Sequence, residues 1–253
     1  MSASTAATLA DLVSQASSIR DWTLARRAVG DFPDGPQQLR QLIDQYPAKD
    51  KNEVAAGMVR WIDGRYQEAL SVLSGSKDLA ARYVVGLCYR ELGQADEAFA
   101  AFEKVAADGA IEGTLARISL LIELGRVPEA HETLHSLDFQ KVEPLAEYWY
   151  LRGLIEDFNH RSDAAAEDYR HALELDAAHP GALFRTAYQA DLHGDDSAAF
   201  ETYLHLRSAY PPHVNALINL GVIYEDRDQY ARAIECYRTV LAAFPNHERA
   251  RLF

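Results

Sequence analysis

One fixed spacing, a period of about 34 residues, runs through the second half of this chain, as in stacked repeat arrays. The recurring residues are glycine or alanine at Gly153, Ala187 and Gly221, alanine at Ala165, Ala199 and Ala233, and tyrosine at Tyr169, Tyr203 and Tyr237. In such arrays each unit buries its apolar face against the next. The chain is therefore predicted to be a repeat array and not a globule around one central core.

The residue types at these positions predict a pair of helices in each repeat. A small side chain in the middle of the first helix lets the second helix come close, and the recurring alanine has the same effect from the second helix. A tyrosine is then predicted to fill the space left between one pair and the next, because an aromatic ring buries a large area beside small neighbours. Pro211 and Pro245 have no N–H group and are predicted to end the second helices of two repeats.

The last repeat resembles the tetratricopeptide family. The residues that carry the resemblance are Leu217, Leu220, Gly221, Tyr224, Ala233, Tyr237 and Pro245. The resemblance implies an all-α fold, a right-handed α-solenoid of antiparallel helix pairs. It also implies a protein that binds other proteins and has no catalytic activity or cofactor of its own.

The same pattern, followed towards the N-terminus, becomes weaker with each repeat, and the spacing between successive units becomes irregular. It predicts six repeats at about 50–78, 79–110, 111–145, 146–179, 180–213 and 214–247. A degenerate helix pair at 16–49 and a capping helix at 1–15 are predicted before them. Residues 248–253 are predicted to begin a further helix of a longer protein.

Composition narrows the functional classes. The chain has 253 residues, of which 48% are hydrophobic, and its formal net charge of −13 argues against direct binding to a phosphate backbone. It has no apolar run long enough to span a bilayer, and its first residues do not resemble a signal peptide, so a cytoplasmic location is expected. Cys88 and Cys236 lie in different repeats and are predicted to be buried thiols.

One motif offers an alternative of a different class, a zinc hydrolase. His131, Glu132 and His135 form a literal H-E-x-x-H, which on a helix would place two histidine ligands on one face with Glu132 as the base. The repeat pattern explains the segment differently, because Ala130 and Leu134 already occupy core positions of a second helix. No third ligand is recognisable in the sequence. We therefore predict no metal site here.

The resemblance implies a site on the first helices, which line a concave groove in tetratricopeptide arrays. The predicted groove residues are Tyr83, Leu87, Tyr150, Leu154, Asp157, Phe184, Arg185, Tyr188, Asp191, Ile218, Asn219 and Val222. An apolar groove with charged edges is typical of a docking site for a partner segment. The alternative is that some of these side chains, such as Leu87, Leu154 and Val222, pack between neighbouring helices.

The charges of this groove predict the kind of partner. Asp157, Asp191, Glu225 and Asp226 form an acidic rim, which favours a basic or apolar protein segment. Members of the family that bind chaperone tails use a clamp of Lys, Arg and Asn, of which only Arg185 and Asn219 have counterparts here. The segment from Asn219 onwards is also similar to bacterial tetratricopeptide proteins with a module like the RNA polymerase α C-terminal domain. A transcription-associated adaptor is therefore the alternative function.

Overall fold

The computed structural model describes residues 8–32, 34–49, 52–207, 213–243 and 247–252. Within these ranges the chain forms 17 helices and no strand. It divides into two compact units, Met1–Arg126 and Val127–Phe253. The all-α class predicted from the sequence is therefore confirmed. Pro211 and Pro245, which are predicted to end two second helices, lie outside the described residues.

The first unit is a succession of helices in which neighbours along the chain pack against each other. These helices are α1 (Leu9–Gln15), α2 (Ile19–Asp31), α3 (Gly35–Gln45), α4 (Glu53–Ile62), α5 (Tyr66–Leu73), α6 (Leu79–Glu91), α7 (Ala95–Ala107) and α8 (Ile111–Glu123). The contacts between α4 and α5 and between α6 and α7 are extensive, and α5 also packs on α6. The unit is thus built of helix pairs stacked in chain order.

The second unit repeats this arrangement. Its helices are α9 (Val127–His135), α10 (Phe139–Val142), α11 (Ala146–Phe158), α12 (Ser162–Leu175), α13 (Pro180–Leu192), α14 (Asp196–Arg207), α15 (Val214–Asp226), α16 (Tyr230–Ala243) and α17 (Glu248–Arg251). The pairs are α11 with α12, α13 with α14, and α15 with α16, and each pair packs on the next. The four-residue helix α10 was not expected from the sequence, and the repeat limits proposed above stay predictions.

Polar side chains fix where the early helices begin. Thr8 and Ser18 each accept a hydrogen bond from the backbone N–H three residues later, and the carboxylates of Asp11 and Asp21 bond back to them. These reciprocal capping boxes satisfy backbone donors that a helix leaves unpaired at its start. They stabilise the ends of the two short N-terminal helices, α1 and α2.

A close contact between a small residue and a large one holds each pair together. A Cβ atom built at Gly57, Gly86, Gly153 or Gly221 would come within 3.0 Å of a side chain on the partner helix. The side chains it would meet are, in the same order, Leu73, Phe102, Tyr169 and Tyr237, which follow their glycines at one constant spacing. The partner helices therefore approach to a distance that only glycine allows, as predicted from the sequence.

The turn after a first helix also recurs. A residue with positive φ follows α4, α6, α8, α11, α13 and α15, at Gly64, Gly93, Gly125, His160, Gly194 and Asp228. In each case the next backbone N–H bonds to a carbonyl five residues earlier, as in Arg161 to Glu156 at 3.0 Å, which is the Schellman motif. The small residue of each glycine-containing pair lies seven residues before this turn, as Gly153 does before His160. Because the spacing from the small residue to the turn is constant, the differences in repeat length lie after the turn, in the second helix or in the connection to the next repeat.

We expect Gly221→Leu to lower the free energy of unfolding by about 1–3 kcal/mol, because the new side chain would collide with the Tyr237 ring. Urea denaturation followed by circular dichroism measures this. Gly75→Leu is the matched control, because a Cβ at Gly75 would have no neighbour within 4 Å. Equal midpoints for the two variants would contradict the close packing of α15 on α16.

We expect His160→Gly to stabilise the protein by roughly 0.5–1 kcal/mol, because His160 has φ of 59° and left-handed backbone is unfavourable for a residue with a Cβ. Gly194→Ala at the equivalent turn should destabilise it by about 1 kcal/mol for the same reason. Thermal melts of both variants test the pair of predictions. A shift of the same sign in both would be inconsistent with the shared turn geometry.

Candidate functional site

The predicted groove residues all lie on first helices of pairs. Tyr83 and Leu87 are on α6 in the first unit. The other ten are on α11, α13 and α15 in the second unit. The second unit therefore contains most of the candidate site.

Burial separates these residues into two groups. Leu87 is 7% exposed and Ile218 is 1% exposed, so both belong to the core. For these two the prediction of a groove-lining side chain is wrong, because such buried atoms cannot touch a partner while the fold is intact. The other ten, among them Leu154 and Val222, are partly exposed.

The aromatic residues of this face are held by contacts with the next repeat. Tyr150 lies against Gly181, where an added Cβ would meet the phenol ring, and its ring centroid is 4.9 Å from that of His179. Phe184 stacks on His213 at 4.7 Å and lies 6.1 Å from Tyr188 with nearly parallel rings. These rings therefore occupy fixed positions along α11 and α13.

Asp157 is the centre of a polar cluster that joins three helices. Its carboxylate accepts a hydrogen bond from the Tyr169 hydroxyl on α12 at 2.6 Å. It also pairs with Arg185 on α13, whose Nε lies 3.1 Å from Oδ2, and accepts from Gln189 Nε2 at 3.3 Å. Burial raises the pKa of the Tyr169 hydroxyl, and the hydrogen bond to Asp157 raises it further. The cluster thus ties α11, α12 and α13 together.

The same acidic position recurs in the next two repeats, at Asp191 and Glu225. Burial and then the nearby carboxylate of Glu225 raise the pKa of the Tyr237 hydroxyl. Burial also raises the pKa of Tyr203 to about 12, and the charge of Asp191 contributes in the same direction. Three of the four acids predicted as a rim, Asp157, Asp191 and Glu225, therefore lie near the tyrosine hydroxyls of their own repeats.

This arrangement changes the roles expected for two residues. The Arg185 charge is already matched by Asp157, and their side chains are only 27% and 14% exposed. Asn219 donates from Nδ2 to the Tyr203 hydroxyl at 2.9 Å. Both groups make contacts within their own chain, which is a structural role that the clamp resemblance does not include.

A small cleft of about 220 Å³ lies beside the third of these helices, α15. It is lined by Asp191, Asp196, Asn219, Val222, Ile223, Asp226, Arg227 and Arg249. Asp191, Asn219 and Val222 were predicted from the sequence as groove residues, and Asp226 as part of the acidic rim. Burial raises the pKa of Asp191, and the neighbouring carboxylates of Asp196 and Asp226 add to the effect. A cationic group in the cleft would relieve this repulsion.

The histidine pair of the H-E-x-x-H segment lies on α9. The rings of His131 and His135 are 4.3 Å apart, and His135 is exposed. In the part of the chain that the structure describes, no three His, Cys, Asp or Glu side chains are grouped closely enough to hold a metal ion. The zinc alternative therefore has no third ligand there.

Sequence reasoning missed a second polar contact between α11 and α12. Asp168 is 1% exposed and accepts a hydrogen bond from Arg152 Nε at 2.8 Å. The Arg152 guanidinium also lies over the Trp149 ring, 4.3 Å from its centroid. Arg152 and Asp168 have the same spacing in the sequence as Gly153 and Tyr169, so the repeat pattern itself could have indicated the pair.

No helix among the described residues is long and apolar enough to cross a membrane. This agrees with the absence of a bilayer-spanning apolar run in the sequence.

Comparison with solved structures identifies the fold. A tetratricopeptide repeat protein from Parabacteroides merdae is 17% identical, with 96% of each chain covered and a TM-score of 0.57. A chain of the APC/C hetero-tetramer Cut9–Hcn1 is 17% identical with a TM-score of 0.64, and the match covers 92% of this chain. The present chain spans 47% of that one, about half its length. A thermophilic repeat protein from Thermus thermophilus is 15% identical, covering 69% of this chain and 95% of its own, with a TM-score of 0.54.

Comparison of sequences gives the family. A search of curated proteins finds no match. Three family models, each described as a tetratricopeptide repeat, match residues 80–108, 146–179 and 214–247. The matched segments coincide with the helix pairs α6–α7, α11–α12 and α15–α16. The chain therefore contains tetratricopeptide repeats in these three segments.

Proposed function

We propose that this protein is a non-catalytic scaffold that binds a segment of a partner protein along the first helices of its second unit. The observation that carries the proposal is the row of partly exposed aromatic and apolar side chains on these helices. They are Tyr150, Leu154, Phe184, Tyr188 and Val222. A partly exposed apolar row next to charged groups suits an extended or helical peptide.

The rigidity of this face supports binding. Tyr150 and Phe184 are fixed by ring contacts with the following repeat, and Asp157 joins α11, α12 and α13. A surface that is already ordered loses little conformational entropy when a partner binds, so more of the contact energy appears as affinity. Arg185 and Asn219 contribute by holding the surface in place, and not by contacting the partner.

The charges favour a segment with basic residues. The cleft beside α15 contains the carboxylates of Asp191, Asp196 and Asp226 together with two arginines, Arg227 and Arg249. A lysine or arginine of the partner near Asp191 would lower the mutual repulsion of the three carboxylates. The chain as a whole carries a net charge of −13, which steers basic partners towards it and repels nucleic acid.

The remaining interpretations depend on the sequence alone. The adaptor function is based on a resemblance to proteins with a polymerase-like module, and it stays a prediction. The cytoplasmic location is likewise a prediction. Hydrolysis by zinc at His131, Glu132 and His135 has no support from a third ligand among the described residues.

We expect Tyr188→Ala combined with Val222→Ala to weaken peptide binding about tenfold, since both side chains are partly exposed on the proposed surface. The probe is a panel of short fluorescent peptides of basic-apolar, neutral-apolar and acidic composition, measured by fluorescence anisotropy. The basic-apolar peptides should bind most tightly to the unmodified protein.

The matched control for this experiment is Tyr230→Ala with Ile234→Ala on α16. These two side chains are 58% and 42% exposed, and they lie on a second helix away from the proposed surface. Unchanged affinity in the control and loss in the test variant would support the proposal. Equal effects in both, or tighter binding of acidic peptides, would contradict it.

We expect purified protein to contain less than one equivalent of zinc, because His131 and His135 have no third ligand in the described residues. Elemental analysis after purification without chelator measures this. His135→Gln should leave the melting temperature unchanged whether or not zinc is added. One equivalent of zinc that is lost in His135→Gln would instead revive the hydrolase alternative.

A further inference from the structure

Three histidines share one position in successive repeats of the second unit. His179, His213 and His247 recur at the repeat spacing, and each immediately precedes a first helix, namely α13, α15 and α17. In each case the ring Nδ1 accepts a hydrogen bond from the backbone N–H three residues later. The bond lengths are 3.1 Å from Ala182, 3.3 Å from Ala216 and 3.2 Å from Ala250. Imidazole rings thus cap these helices.

A histidine cap differs from a serine or asparagine cap because it titrates near neutral pH. Nδ1 can accept a hydrogen bond only while it has no proton. Protonation converts it to a donor that faces another donor, and it places a cation at the positive end of the helix dipole. The cap is therefore available only to the neutral ring.

The surroundings of His179 and His213 differ in one respect. His179 Nε2 lies 3.0 Å from the Glu147 carboxylate, which can balance a charge on the ring. In the next repeat the residue equivalent to Glu147 is Gly181, so the carboxylate that faces His179 has no counterpart for the His213 ring.

Among the described residues, no acidic side chain contacts the His213 ring. From α13 the ring is covered by Phe184, stacked at 4.7 Å with an interplanar angle of 23°. From α15 it meets the N–H of Ala216. Burial lowers the pKa of His213 from its ordinary value of 6.5, opposed by a backbone hydrogen bond, and no charged side chain of the described residues contributes to this shift.

We propose that His213 is a pH-sensitive helix cap, which holds the first turn of α15 against α13 when neutral and releases it on protonation. Phe184 would lose its stacking partner in the same event. Because Phe184 belongs to the proposed binding surface, acidification would also loosen that surface. The cap itself works whether or not the surface has a partner.

The direction of the pH effect follows from the lowered pKa. The unfolded chain takes up the proton at higher pH than the folded chain does. The stability that His213 contributes is therefore fully present above about pH 6.5 and is lost as the pH falls through the folded pKa.

Hydrogen exchange of the full chain tests the proposal. Protection factors of the Asn215, Ala216 and Leu217 amides are compared at about pH 7.5 and about pH 5, after correction for intrinsic exchange rates. We expect a loss of roughly fivefold in the unmodified protein, the factor that corresponds to the ~1 kcal/mol typical of a lost cap.

His213→Asn is the key variant, because asparagine caps a helix well and does not titrate. It should keep its α15 protection at about pH 5, while His179→Asn should leave the acid response of α15 unchanged. If His213→Asn does not fold at neutral pH, His213→Asp is used instead, since aspartate remains a charged acceptor at about pH 5.

Two results would overturn the proposal. One is a loss of α15 protection that is equal in the unmodified protein and in His213→Asn, or absent from the unmodified protein. The other is an NMR titration midpoint of the His213 ring at or above 6.5, where a lower value is expected. Neither readout involves peptide binding, so failure of the scaffold proposal would be distinguished from failure of this one.

Discussion

The contact between a small residue on the first helix and a large side chain on the second is the constraint on which each pair depends. Where the first helix has Gly153, the Tyr169 ring can lie directly on its backbone. The distance between the two helices is then set by the thickness of one ring. Because the ring is rigid, its hydroxyl reaches a defined place, next to Asp157 on the same first helix. Packing and hydrogen bonding are thus coupled within the pair.

The coupling extends to the neighbouring pair through the same carboxylate. The Asp157 carboxylate accepts hydrogen bonds from Arg185 and Gln189 on α13. The same carboxylate that binds the tyrosine hydroxyl therefore also holds the first helix of the next pair. A nearly buried carboxylate has lost its hydrogen bonds to water, and the donors of these side chains replace them. This arrangement also explains why residues that look like ligand-binding charges in the sequence mainly serve the fold.

The candidate surface consists of side chains that these packing and hydrogen-bonding contacts leave partly exposed. Tyr188, Leu154 and Val222 keep partial exposure, and Asp191 lies at a cleft with two more carboxylates. The histidine caps show the same variation: both rings contact an aromatic ring, Tyr150 or Phe184, but in the described part of the chain a carboxylate, that of Glu147, faces only the His179 ring. Small changes between repeats therefore give equivalent positions different surroundings.

The repeat period alone indicated helix pairs with a small residue on each first helix, because steric demands recur with that period. It placed the tyrosines between successive pairs, whereas Tyr169 and Tyr237 lie on Gly153 and Gly221 within one pair. It could not show that Ile218 is buried while Val222 is partly exposed, since an apolar residue on a first helix gives the same sequence pattern in either environment. Nor could it pair Asp157 with Arg185, which lie on different helices of different repeats. The four-residue helix α10 is too short to have a periodic signal. These features depend on the folded chain, because burial and charge pairing are set by which helices become neighbours.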